Sequence, residues 1–360
     1  MTRGRAVRGV LGVLLAGALT TAGALGWIAW KVTRTVPLPP LPAPATFSWF
    51  ALGDTGTGDV VSKERLAQLV VGRTMATLDH EARVDALLFL GDNFYPTGLL
   101  AREIETRIRH NVVDPYCGFV AFKGPLSPRV AGGCHPVRGR DADAPALLAV
   151  LGNHDKIAPE SPRLERQILP LYVSNWKLPA DAIHVEALAP GLQLLMVDAD
   201  VFSSGLHLSA LADAAAKMPG PWRVLATHRP LQPGNGQAVV NLTRALARTG
   251  LRFQLVLAGH EHSLGVATLP APHGLQVISG GGAKTRRPLD FAGRLLAVQQ
   301  TGFARIDFVR AGGEDARLFA SLYSVPLFGR AARIGTWSVG VDNDVRREDR
   351  AGEDPAPDSR

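Results

Sequence analysis

At 360 residues and 46% hydrophobic side chains, the chain has material for one large packed domain or two ordinary ones. Its formal net charge of +7 is uneven. Arg3, Arg5, Arg8, Lys31 and Arg34 fall within residues 1–35 with no acid among them, while residues 341–360 are acid-rich. The span between is mildly basic and carries no stripe of cations interleaved with aromatics. That excludes nucleic acid as the natural partner and suits a small anionic molecule.

Residues 1–34 read as a targeting segment. The uncharged run over residues 9–30 is long enough to cross a bilayer, and the arginines before it favour a cytoplasmic start. A single-pass anchor would leave the remainder extracytoplasmic, in the periplasm or outside the cell. A small-residue stretch, Ala22–Gly23–Ala24, keeps a cleaved signal peptide and a secreted product open. Residues 35–45, rich in proline, are expected to form a stiff spacer lifting a domain off the membrane. An exported domain meets an oxidising compartment, so Cys117 and Cys134 are expected to pair. Two unrelated thiols are the alternative. Pairing would close a loop of roughly 17 residues, worth about 3 kcal/mol in chain-entropy terms.

From residue 46 the pattern alternates. TFSWFAL is a strand, followed by helical spacing in SKERLAQLVVGRTMATLDHEA. VDALLFL is a buried strand, and a helix is expected around LLAREIETRIRHNV. A Gly/Pro-rich insertion, residues 113–143, carries both cysteines. APALLAVL, AIHVEALAP and GLQLLMVD read as strands, the last two as a pair. HLSALADAAAKM is a helix, WRVLAT a strand, GQAVVNLTRALARTG a helix ending in glycine, and RFQLVLA a strand. Beyond residue 270 the signals are strand-like. Residues 46–340 thus form an α/β domain with two facing sheets and helices outside. Residues 341–360, polar and charged, are expected to be a disordered tail.

Five apolar runs end alike. They are followed by Gly53–Asp54, by Gly91–Asp92, by Gly152–Asn153–His154–Asp155, by His228, and by Gly259–His260–Glu261–His262. Ligands collect beyond the carboxyl ends of strands in open α/β sheets. Singly, Gly-Asp after a strand is usually a turn, and a lone histidine is usually structural. Repetition at five strand ends is what points to a metal site, and oxygen and nitrogen donors without thiols suit a hard to borderline pair of ions. Tyr95, three residues after Asp92, is in isolation a packing residue. Within a metal site it is a hard phenolate donor, which favours iron(III).

Together, GDTG at Asp54, GDNFY at Asp92 and Tyr95, GNHD at Asn153, THRP at His228, and GHEH at His260 and His262 resemble the calcineurin-like metallophosphoesterases. Within them the motifs resemble the purple acid phosphatases, particularly the small tartrate-resistant type. The discriminating features are Tyr95 and Gly56, which stands where other branches place a histidine. The resemblance implies a four-layer α/β/β/α sandwich. It implies iron(III) on Asp54, Tyr95 and His262, a divalent iron, zinc or manganese on Asn153, His228 and His260, and Asp92 bridging. It implies hydrolysis of a small phosphorylated substrate by metal-bound hydroxide. Asn153 and His154 would contact the phosphate, His154 protonating the leaving alkoxide. Asp155 would orient His154 or cap a helix. Arg229 would touch substrate or be solvated, and Lys284, Arg286 and Arg287 read as a solvated loop. Two other functions remain open at this stage: a zinc or manganese phosphodiesterase or nucleotidase, and a membrane-anchored binding protein without turnover.

Overall fold

Four-residue runs such as Ala86–Phe89 and Leu255–Ala258 are apolar throughout and wholly buried, as expected of strands covered on both faces. The computed structural model describes residues 36–58, 61–135, 144–232, 234–290, 292–310 and 316–348. Its strands in chain order are β1 (Ala45–Leu52), β2 (Ala86–Phe89), β3 (Ala146–Ala149), β4 (Trp176–Lys177), β5 (Ile183–Ala189), β6 (Leu192–Val197), β7 (Trp222–Thr227), β8 (Leu255–Ala258), β9 (Leu264–Thr268), β10 (Leu275–Ser279), β11 (Arg294–Val298), β12 (Gly302–Val309), β13 (Arg317–Ser324), β14 (Ala332–Val339) and β15 (Val345–Arg347). Among the described residues they form two sheets. One has the order β15-β14-β13-β12-β1-β2-β3-β4, the other β11-β9-β10-β8-β7-β6-β5. β1 to β4 run parallel, as do β6, β7, β8 and β10, while the remaining pairings are antiparallel.

The period-2 alternation of β1 assigns the layers. Trp49 and Ala51 face the second sheet, where they pack with Leu194, Val224 and Leu257. Phe50 and Leu52 face outward onto Val71, Met75 and Leu78 of the helix Lys63–Glu81. On the far side, Leu195, Leu225 and Val256 meet Leu211 and Leu242 from the helices Leu208–Ala216 and Gln237–Thr249. The order is therefore helix, sheet, sheet, helix. Each fully buried Leu, Val or Phe contributes about 2 kcal/mol. Ser62 caps the first helix, its hydroxyl accepting from Arg65 N at 3.1 Å, worth about 1 kcal/mol.

Two boundaries differ from the sequence-based expectation. The proline-rich segment is not a free spacer along its whole length. Val36 is buried, the Pro37 carbonyl accepts from Tyr323, and the Leu38 carbonyl accepts from Arg333. An extended proline-rich backbone keeps its carbonyls free, and here two of them find donors on the domain. β15 pairs with β14 inside the stretch expected to be a disordered tail, while residues 349–360 lie outside the described residues. The proposed anchor, residues 9–30, lies outside them too. No helix among the described residues is long and apolar enough to cross a membrane. Cys117 and Cys134 are disulfide-bonded, and the insertion that carries them holds a short helix, Pro128–Ala131.

Candidate metal centre

The five donor-bearing turns leave β1, β2 and β3 of one sheet and β7 and β8 of the other, so two facing sheet edges build the site rather than one. The turns are tight. Asp54, Asp92, His260 and His262 all have positive φ, at 59°, 53°, 68° and 41°. A side chain other than glycine or asparagine rarely sits there, and each such residue costs about 1 kcal/mol or more. Four such residues at one spot mark a place where side-chain aim outranks backbone comfort. Close approach explains two glycines. A Cβ on Gly56 would fall 1.8 Å from the Asn93 carbonyl oxygen, and one on Gly152 would fall 2.1 Å from Asp92 Oδ1. Gly56 therefore lets the first turn lie against the second, and no histidine fits there.

A first cluster forms around Tyr95. Its hydroxyl is 2.9 Å from Asp54 Oδ1, 2.6 Å from Asp92 Oδ2 and 2.9 Å from His262 Nε2. His262 Nε2 is in turn 3.2 Å from Asp54 Oδ1. Four donor atoms thus crowd together with at most two protons among them, one on the phenol and one on the imidazole. Asp54 and Asp92 are buried, at 0% and 1% exposure. Burial first, then the Asp54 and Asp92 carboxylates, hold the Tyr95 phenol far above its ordinary value. Such a nest of anions is satisfied by a cation, so the donor set fits a metal. Asp54, Asp92 and His262 by themselves are close enough to hold one.

A second cluster adjoins it through Asp92. His228 Nε2 lies 3.4 Å from Asp92 Oδ1, 3.2 Å from Asn153 Oδ1 and 3.2 Å from His260 Nδ1. His228 Nδ1–H donates to the Leu90 carbonyl at 2.8 Å. That bond fixes the tautomer and leaves the Nε2 lone pair facing the cluster, where it could serve as a ligand. Burial alone would lower the His228 imidazole, but Asp92 and Asp54 outweigh it and hold it above the usual value. Burial, then His228 and Arg229, pull His260 down to about 3, so its imidazole stays neutral.

His154 stands beside both clusters. Its backbone N–H donates to Asp92 Oδ1 at 2.9 Å, and its ring lies 4.5 Å from the Tyr95 ring. Nδ1 donates to the Pro96 carbonyl at 2.6 Å, which leaves Nε2 for other partners. Asp155 takes neither role expected of it. Its carboxylate accepts from the backbone N–H groups of Asn93, Phe94 and Gly152 at 2.8–3.1 Å, tying the two turns together rather than reaching the His154 ring. Burial, then the nearby Asp92, push it up to about 6.

Arg229, expected to touch substrate or be solvated, is tied into the site: Nε donates to Asp200 at 2.8 Å and Nη1 to His260 Nε2 at 3.1 Å. Sequence reasoning gave no role in the site to the residues around it. Lys156 bridges Asp198 and Asp200 from the other side. Lys284 Nζ sits 3.4 Å from the centre of the Tyr95 ring. Arg286 donates to the His260 carbonyl at 2.7 Å. The only advance signal for these was place in the chain: Asp198 and Asp200 follow β6, and Lys284 and Arg286 follow the glycine run after β10.

Residues 50–264 match the calcineurin-like phosphoesterase family, and the chain belongs to it. No curated protein matches the chain significantly. Among solved structures the fold is similar to GAP50, described as the anchor in the inner membrane complex of Plasmodium. The TM-score is 0.55 at 13% identity, covering 80% of this chain and 88% of that one. It is also similar to the purple acid phosphatase PPD1 from yellow lupin (Lupinus luteus) seeds, with a TM-score of 0.52 at 12% identity. The match covers 85% of this chain but only 55% of the lupin enzyme. These likenesses bear on fold alone.

Proposed function

We propose that this chain is a metal-dependent phosphomonoesterase of the purple acid phosphatase type, with iron(III) beside a divalent iron, zinc or manganese. The observation that carries the proposal is the phenol of Tyr95 meeting Asp54, Asp92 and His262 within 2.9 Å. Asp54, Tyr95 and His262 would hold the iron, Asn153, His228 and His260 the divalent ion, and Asp92 would touch both. When bound, the ions supply an activated water as nucleophile and neutralise charge on the phosphoryl oxygens.

The chain's own residues do the rest. Asn153 and His154 orient the phosphate. His154 Nε2, left open by the Nδ1 bond to Pro96, moves a proton to the leaving alkoxide. Asp155 holds the two turns that carry Asp92 and His154 in register and acts as a positioning residue. Arg229, whose Nη1 lies 3.1 Å from His260 Nε2, would contact the substrate phosphate through its guanidinium. Residues 9–30 would anchor the domain at a membrane with the site on the extracytoplasmic side, an inference from hydropathy alone.

The test is a visible spectrum with metal analysis on aerobically purified protein. A phenolate on iron(III) absorbs visible light, and Tyr95→Phe should bleach the band while lowering activity about tenfold. A colourless, active protein holding two zinc ions would instead favour a zinc phosphodiesterase or nucleotidase.

A further inference from the structure

Beside the first donor cluster lies a cavity of about 380 Å³ that none of the roles above uses. The start of the helix Lys63–Glu81 lines it with Lys63 and Glu64, the loop after β10 with Lys284 and Thr285, and the segment before β12 with Gln299 and Gln300. His262 belongs to the same lining, so the cavity reaches the donor cluster through a residue already placed there. Lys284 joins the two as well, since its ammonium also lies against the Tyr95 ring.

The lining is rich in hydrogen-bond donors. Among the described residues of the lining, Lys63 and Lys284 are cations and Glu64 is an acid, its carboxylate 3.9 Å from Lys63 Nζ. Gln300 Oε1 accepts from the Ser324 hydroxyl, which leaves its NH2 group as the part with capacity to spare. Thr285 is exposed to the cavity side of its loop and offers a hydroxyl. The volume is in the range of small-molecule sites. Ala67, Ala283, Pro326 and Leu327 complete the lining and can seat an apolar skeleton, while an anionic group on that skeleton gains charge-assisted hydrogen bonds.

We propose that this cavity receives the leaving-group half of the substrate, and that this half carries a second anionic group, a carboxylate or a further phosphate, held by Lys63 and Lys284. The proposal rests on the phosphomonoesterase reading above. It narrows the substrate class from any phosphomonoester to one whose alcohol is itself an anion.

The test compares phenyl phosphate with its 3-carboxymethyl derivative on the metal-loaded full chain. The methylene insulates the ring, so the two leaving groups are close in basicity. The unaltered protein should favour the carboxylated substrate in kcat/KM by about tenfold, the effect of one charge-assisted contact. Lys63→Glu and Lys284→Gln should each cut that ratio by about threefold or more, through the KM of the carboxylated substrate. Taking the ratio cancels any effect of Lys284→Gln on the metal centre common to both substrates. Lys63, whose side chain is 82% exposed, can be exchanged without disturbing the core. Hydrolysis of both substrates with a ratio that neither variant changes would overturn the subsite and leave the phosphatase standing. Hydrolysis of neither by the unaltered protein would remove the phosphatase, and the subsite with it.

Discussion

The two donor clusters differ in kind. The Tyr95 cluster gathers two carboxylates, a phenol and one imidazole, His262, and its carboxylates are wholly buried. The cluster around His228 gathers two imidazoles and an amide, sharing only the Asp92 carboxylate, and Asn153 and His260 are half-buried. Neutral donors suit a borderline divalent ion, while packed hard anions need more positive charge to balance them. The sequence spacing separates them as well. Tyr95 is three residues from Asp92, whereas His228 and His260 come from the second sheet, and the turn after β8 supplies one histidine to each cluster. On the proposed reading that difference would suit two unlike cations, and the asymmetry lies in side-chain charge rather than in the backbone, since strained positive-φ residues serve both.

Breaking the shared member should have the largest effect. Asp92→Asn is expected to lower kcat by about 10³-fold and to reduce the metal content of both clusters, measured by elemental analysis with steady-state kinetics. Loss of one ion alone would mean that Asp92 does not join them. His154→Ala should lower kcat by about 10²-fold on an alkyl phosphate and much less on a nitrophenyl phosphate, whose leaving group needs no proton. Equal losses on both substrates would assign His154 to phosphate binding alone. Asp200→Asn, which unties Arg229 from its carboxylate, should raise KM by about tenfold with little change in kcat. The Lys156 and Arg229 cations hold Asp200 down at about 2 against its burial, so this contact persists across the pH range of the assay.

The smallest effect concerns stability. Asn93 joins two buried carboxyls, donating to Asp155 at 3.3 Å and to Glu165 at 3.1 Å. Burial, then the Asp155 charge, hold Glu165 well above the usual carboxylate range, and Asp155 is pushed up to about 6. A carboxyl whose folded pKa is raised binds its proton more tightly when folded. Its contribution is full below the unfolded value near 4 and is lost as pH rises through the folded one. For Asp155 that is about 2 units, or about 3 kcal/mol between pH 4 and 6. In metal-free protein, Glu165→Gln should flatten this fall, seen as a smaller shift of the denaturant midpoint from pH 4 to pH 8. Parallel curves for the two proteins would show that Glu165 does not titrate there.

Much of this was legible in the sequence. The donor-bearing strand ends stood out because each joins a short apolar run to an abrupt polar turn, and a run buried on both faces cannot hide. β9 follows GHEH after a single residue, Ser263, and β11 is a half-exposed edge strand, so neither announced itself. The contacts of Lys284 with Tyr95 and of Glu165 with Asn93 span long stretches of chain and have no local signature. Asp155 looked like a partner for its neighbour His154. Three backbone N–H groups on converging turns claimed it instead, because an unpaired buried N–H is costly.

Anomalous diffraction at the metal edges on crystals of the domain would bear most directly on the pairing of unlike cations. Two ions sharing Asp92 are expected, iron on Tyr95 and a divalent metal on His228 and His260. A single ion, or two identical ions with Tyr95 bound to neither, would contradict the assignment.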